Sequence, residues 1–253
     1  MEAVDCSNYG GELAVEIVRR WYANGKRKVI VGVGRDWELA RRQIQAALAG
    51  GMVVEVYVYL YFGVEPAGYL DRVSLAIRGL PVSFKWLDFE DTDAPQVGYS
   101  TELLVCAWIQ HCLDVAAARW DRSTIGIYTA RWWWNPWTSG ADQFRDWPLW
   151  VAEYDGDASL SFTPFGGWVP PATMKQYQGT VELCDFSVDL DYYREVSEVD
   201  KEARAKAEAA KAVADAAAYR LRIAGLIQMG DGETAYHEMQ ALRKFCGLPL
   251  VVV

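Results

Sequence analysis

Apolar and polar positions along the first half of the chain alternate between two rhythms. Short runs rich in β-branched and aromatic residues at 3–6, 28–33, 53–62, 81–90 and 124–128 predict strands. Between them, helical spacing at 36–49, 69–80 and 102–120 predicts amphipathic helices. The unit at 28–51 is complete in itself: an apolar run, a helix opened by Asp36-Trp37-Glu38-Leu39, and a stop at Gly50-Gly51. Strand and helix in alternation predict βα units around a parallel sheet. After 128 the rhythm changes. Strand-like segments at 148–154, 174–177 and 186–191 follow one another with loops and only short helical stretches between them. The expected fold is α/β, a modified (β/α) TIM-like barrel with eight strands and a helix-poor late half. An open doubly wound sheet is the competing arrangement.

From about residue 195 the pattern changes again. Residues 201–220 hold ten alanines among charged residues with no glycine or proline, which predicts a helix running to Gly230. A second helix at 231–246 would carry Tyr236, Met239, Leu242 and Phe245 on one side, facing Tyr219, Ile223, Leu226 and Ile227. The chain therefore divides into a barrel over 1–194 and an α-helical hairpin over 195–253, the expected surface for self-association or docking.

Composition narrows the functions. With 52% hydrophobic and 23% charged residues and no apolar run near the ~20 residues a bilayer crossing needs, a soluble protein with no membrane partner is expected. A net charge of −9 without dense basic stretches argues against nucleic acid. The acidic start Met1-Glu2-Ala3-Val4-Asp5 lacks the features of a secretory signal, so synthesis in the cytoplasm is expected. Five cysteines without a Cys-x-x-Cys motif read as reduced thiols, and His111 and His237 alone leave little material for a zinc site or a Ser-His-Asp triad. Neither a metal nor a cofactor is expected.

The sharpest chemical feature is Phe84-Lys85-Trp86-Leu87-Asp88-Phe89-Glu90-Asp91. Strand alternation puts Trp86, Asp88 and Glu90 on one face, with the two carboxylates about 6.7 Å apart at roughly 3.3 Å per residue. They fall at the C-terminal end of a strand, where barrel enzymes place their sites. Glycoside hydrolysis needs such a pair, one group protonated to assist the leaving oxygen and one ionised to stabilise or attack the anomeric carbon. The same spacing also describes acids solvated at a strand end. Alternation further places Trp150, Ala152 and Tyr154 on one face of their strand, where aromatic rings could stack on sugars or simply fill the barrel. The Trp132-Trp133-Trp134 run, lying after a strand, is expected to form a rim.

These pieces form an ordered series. Ala3-Val4-Asp5-Cys6-Ser7-Asn8-Tyr9 resembles the opening Asp-Val-Ser strand of glycoside hydrolase family 25 muramidases, and Leu87-Asp88-Phe89-Glu90 resembles their Leu-Asp-x-Glu strand. Ile125-Gly126-Ile127-Tyr128-Thr129, the Trp132 to Trp134 run, Leu149-Trp150-Val151-Ala152-Glu153-Tyr154, Gln176-Tyr177 and Val188-Asp189-Leu190-Asp191 continue it. The resemblance implies a barrel of five early βα units and three late strands. It also implies hydrolysis of the β-1,4 bond after N-acetylmuramic acid, with peptidoglycan glycan strands as the partner. By the same resemblance Glu90 is the proton donor and Asp88 the stabiliser or nucleophile, unless the sugar's acetamido group attacks instead. Asp5 and Asp189 would complete the acidic cluster, and Tyr61, Tyr128, Trp150, Tyr154 and Gln176 would bind substrate. Two departures stand out: Leu60-Tyr61-Phe62 replaces the family's Tyr-His-Phe, and Gly32-Val33-Gly34-Arg35 lacks its acidic Glu-Gly ending. The two glycines read as a turn or a close approach.

The expected setting is a phage or bacterial lysin, acting on the cell wall after release or carried in a phage particle. A non-catalytic wall-binding or virion structural protein that keeps the barrel and assembles through the hairpin is the alternative. A chitinase-like hydrolase is a third reading, although Phe84 and Trp86 occupy two acidic positions of that pattern.

Overall fold

A computed structural model describes residues 1–93 and 101–194. The hairpin expected at 195–253, and with it the boundary between the two domains, lies outside the described residues.

Eight strands close into a barrel in sequence order, which excludes the open doubly wound sheet. They are β1 (Glu2–Cys6), β2 (Lys28–Gly32), β3 (Val53–Tyr59), β4 (Val82–Asp88), β5 (Ile125–Thr129), β6 (Leu149–Ala152), β7 (Met174–Glu182) and β8 (Ser187–Tyr193). The first five are each followed by a helix: α1 (Val15–Ala23), α2 (Trp37–Ala49), α3 (Pro66–Ile77), α4 (Glu102–Ala117) and α5 (Arg131–Thr138). Side-chain caps open three of these helices, Asp36 accepting from Leu39 N–H, Glu65 from Gly68 N–H and Thr101 from Leu104 N–H. α1 has no such cap and buries only Val18 and Trp21, so the sequence offered little to mark it.

Three expectations need correction. The sheet is not wholly parallel: β8 runs antiparallel to both β7 and β1. The cause is the connection at 183–186, far shorter than the dozen or so residues a parallel crossover requires. β3 stops at Tyr59 rather than 62, because Leu60 to Phe62 enter a loop whose Phe62 N–H donates to Asp91 Oδ2 at 2.7 Å. The tryptophan run belongs mostly to the core. It lies in α5, where Trp133 and Trp134 are fully buried and only Trp132, 59% exposed, faces solvent.

Strand alternation separates two cores. Outside the barrel, Val29, Val31, Val54, Val56, Val58, Leu87, Phe89 and Ile127 pack against the helices in a continuous apolar layer. Inside lies a smaller aromatic cluster around Trp86, Tyr128, Trp150, Met174 and Tyr193. The large rings fit because a glycine stands opposite: a Cβ on Gly126 would sit 2.4 Å from the Trp86 ring. The lower interior is charged. Lys28 pairs with Glu55, both nearly buried, and Trp86 Nε1 donates to Glu55 Oε2 at 2.7 Å.

Candidate functional site

The upper interior opens into a cleft of about 450 Å³ at the C-terminal ends of the parallel strands. All nine residues singled out in the sequence line it: Asp5, Asp88, Glu90 and Asp189 as acids, with Tyr61, Tyr128, Trp150, Tyr154 and Gln176. Asp5 comes from β1, Asp88 ends β4, and Glu90 stands two residues beyond it. Asp189 lies near the start of β8, opposite Asp5 in the β1–β8 register, so the antiparallel strand delivers its acid to the same mouth. Tyr61 and Tyr154 are exposed at the rim, whereas Tyr128 and Trp150 are buried in the floor.

Gln176 ties the floor together. Its amide nitrogen donates to Asp5 Oδ2 at 2.8 Å and to Asp189 Oδ2 at 2.9 Å. Its amide oxygen accepts from Tyr128 Oη at 2.8 Å and Tyr154 Oη at 2.9 Å. Two donors and two acceptor positions are the full capacity of a primary amide, so its orientation is determined. Asp189 Oδ1 also accepts from Thr180 N–H at 2.5 Å, an amide aimed by a bulge in β7 at which Thr180 takes a φ of 56°.

Glu90 is held from both sides. Thr129 Oγ1 donates to Phe89 O at 2.8 Å, and Trp133 Nε1 to Asp91 O at 2.7 Å. With its neighbours pinned, the Glu90 backbone has one position and its side chain, partly exposed, reaches the cleft. Asp88 lies deeper at 2% exposure, and its Oδ1 has no hydrogen-bond partner among the described residues.

Burial is the main force on these acids. It pushes Asp88 well above the usual carboxylate range, assisted by the negative charges of Glu90 and Asp5. Burial and then Asp189 push Glu90 up. Burial also raises Asp5 and Asp189, the latter against the opposing effect of the Thr180 N–H. The groups interact closely, so their protons leave as a cluster. A consequence for stability follows. The folded chain holds more protons here than the unfolded chain, whose carboxylates ionise near pH 4, so stability falls as pH rises from about 4 through the raised folded values. Calorimetry is expected to show a higher Tm at about pH 5 than at about pH 8, and Asp88→Asn is expected to shrink that difference. An equal Tm at both values would show that the cluster is not held protonated.

Several lining residues escaped the sequence reading. Tyr57 and Tyr59 share the inner face of β3 with Glu55, a period-two signal that was visible beside Val54, Val56 and Val58. Gly32 and Gly34 do mark close approaches, since added Cβ atoms would lie 2.7 Å from the Tyr57 ring and 2.2 Å from Tyr69 Oη. Arg35, the one cation among the lining residues, stacks on the ring of Tyr9 at 4.5 Å.

Comparison with known proteins agrees with this geometry. The family model described as "Glycosyl hydrolases family 25" matches residues 4–185. "Probable GH family 25 lysozyme 3" of Dictyostelium discoideum is 30% identical over 156 residues, 59% of this chain and 32% of that protein. "Probable GH family 25 lysozyme 2" of the same organism is 38% identical over 130 residues, 50% of this chain and 58% of that protein. The chain thus spans about a third to three fifths of the length of these curated relatives. Among solved structures, a muramidase from Acremonium alcalophilum superposes with a TM-score of 0.62 at 19% identity, covering 81% of this chain and 98% of its own. That likeness is one of fold.

Proposed function

Because the chain belongs to glycosyl hydrolase family 25, we propose that it is a muramidase that hydrolyses the β-1,4 bond between N-acetylmuramic acid and N-acetylglucosamine in peptidoglycan. The observation that carries this reading is the meeting of four carboxyl groups from β1, β4 and β8 at one open mouth, beside exposed aromatic rings. Glycosidic cleavage requires a protonated acid near neutral pH, and the raised, partly exposed Glu90 fits that role. In this reading Glu90 protonates the leaving oxygen and then, as carboxylate, activates the incoming water.

Asp88 suits stabilisation better than attack. Burial holds it toward its neutral form, which is a poor nucleophile, while its unpartnered Oδ1 is an acceptor waiting for a donor. An acetamido N–H of the sugar can donate to that oxygen, which fixes the acetamido oxygen for attack on the anomeric carbon, while the Glu90 carboxylate left after proton transfer balances the positive charge that forms. Attack from the face opposite the leaving group, followed by water from the same face as the leaving group, retains the configuration. Asp5 and Asp189, oriented by Gln176, set the field around the reacting sugar, and Tyr61 and Tyr154 offer apolar faces to flanking rings. The reading extends to a role as a bacterial or phage lysin.

The test is loss of turbidity of a peptidoglycan suspension, with mass spectrometry of the products. Fragments ending in reducing N-acetylmuramic acid are expected, with chitin oligomers left intact. Cleavage of chitin alone would make the protein a chitinase-like hydrolase, and binding without cleavage would make it a non-catalytic wall-binding protein.

A further inference from the structure

Beneath the acids of the cleft lies another that the reaction above does not use. Asp191 sits on the inner face of β8 at 0% exposure, two residues from Asp189. Trp150 Nε1 donates to its Oδ1 at 2.9 Å, while no protein donor among the described residues serves its Oδ2. Asp5 is its diagonal neighbour on the inner face, since Asp191 stands opposite Ala3 and Asp189 opposite Asp5 in the β1–β8 register, and the two carboxyl groups act on each other directly. Two carboxylates so placed, one wholly enclosed and the other nearly so, repel each other and are left with a buried unpaired charge. A proton between them turns the repulsion into a hydrogen bond.

The surroundings say which partner carries it. Asp5 is 5% exposed, reaches the cleft and accepts from Gln176, a hydrogen bond that opposes the upward push of burial and of Asp189 and makes Asp5 the readier of the two to ionise. Asp191 is wholly enclosed. The charged groups bearing on it are Asp5 from β1 and Asp189 from its own strand, both acidic, while Trp150 on β6 and Gln176 on β7 are neutral. Lys28, the cation that β2 adds to the interior on the far side of Ala3, is already engaged by Glu55 and lies over the Tyr193 ring, so a second negative charge has no free partner among the described residues.

We propose that Asp191 is a positioning residue of the site, a neutral acid that donates its proton to Asp5 and so orients the Asp5 carboxylate from below while Gln176 orients it from the side. Asp191 touches no substrate and acts through Asp5; its importance for turnover rests on the muramidase reading, whereas its protonation does not. Asparagine reproduces the arrangement, since its amide N–H can donate to Asp5 while its carbonyl oxygen keeps the Trp150 hydrogen bond. Leucine, of similar size, removes both.

The experiment compares wild type, Asp191→Asn and Asp191→Leu by infrared difference spectroscopy and by pH–rate profiles on peptidoglycan. At about pH 6, where exposed carboxylates are ionised, the wild-type spectrum minus that of Asp191→Asn is expected to show one buried carboxylic-acid carbonyl band. Asp191→Asn is expected to keep kcat/KM within about threefold, with the alkaline limb of its profile unmoved. Asp191→Leu is expected to lose about tenfold or more in kcat with little change in KM, the cost of leaving Asp5 without its donor. Absence of the acid band would overturn the proposal, as would an alkaline limb displaced to lower pH in Asp191→Asn, the sign of a negative charge removed beside Asp5. An inactive wild type would count against the muramidase reading alone and leave the infrared result to decide on Asp191.

Discussion

Replacing Glu90 by glutamine is expected to lower kcat/KM on peptidoglycan by about 10³-fold, a loss of roughly 4 kcal/mol of transition-state stabilisation, without lowering Tm. The amide fills the same space and keeps hydrogen-bonding capacity, but it has no acidic proton to give the leaving oxygen. The fold has no cause to suffer, because burial and the nearby Asp189 already disfavour the charged form of Glu90. Above neutral pH the variant should be slightly more stable than wild type, since one mutually repelling negative charge has gone. Turbidity assays paired with thermal melts check both parts. Retention of a tenth or more of wild-type activity with a correctly folded barrel would remove Glu90 from the acid's role.

The second large effect concerns the barrel's lower interior. Glu55→Leu is expected to destabilise the fold by about 3–5 kcal/mol, because it strips Lys28 of its carboxylate in a nearly enclosed place and leaves the Trp86 indole N–H without its acceptor. For a domain of this size that corresponds to a fall in Tm of about 10 °C. Removing both charges together, Lys28→Met with Glu55→Leu, is expected to recover the part of the loss due to the stranded Lys28 charge and leave the part due to the Trp86 indole, since apolar side chains often replace a buried ion pair at little cost. Chemical denaturation of the two single variants and the double variant measures the coupling directly. If Glu55→Leu alone costs under about 1 kcal/mol, water reaches this pair and the lower interior is not dry.

The barrel was legible because its outer layer follows simple rules. Val29, Val31, Val54, Val56 and Val58 alternate in strand fashion, and Asp36 announces α2 as a helix cap. Asp88 and Glu90 could be paired on one face by the same alternation. Less was visible where the outcome depends on long-range pairing. That Asp5 faces Asp189 follows from closure of the sheet between its first and last strands, which no local pattern records; only the shortness of the turn before β8 bears on its direction. Gln176 was drawn from a motif, yet its fourfold bonding depends on Asp5, Tyr128, Tyr154 and Asp189, residues far apart in the chain. Asp191 was in view as the last residue of Val188-Asp189-Leu190-Asp191. Its special condition arises from what surrounds it, and a side-chain period says nothing of that. The tryptophan run misled because aromatic residues suit a sugar-binding rim and a helix–barrel core equally well.

The short connection between β7 and β8 gives this end of the molecule an unusual sensitivity to length. Adding or deleting one residue there would slide β8 by a single step, sending Leu190 inward where Asp189 and Asp191 now point and exiling both acids to the outer, apolar layer. Loops at the opposite end of the barrel, between a helix and the strand that follows it, can grow or shrink and leave the cleft untouched. In this hairpin an insertion would take one acid out of the cleft and another from beneath it, although neither residue had been altered.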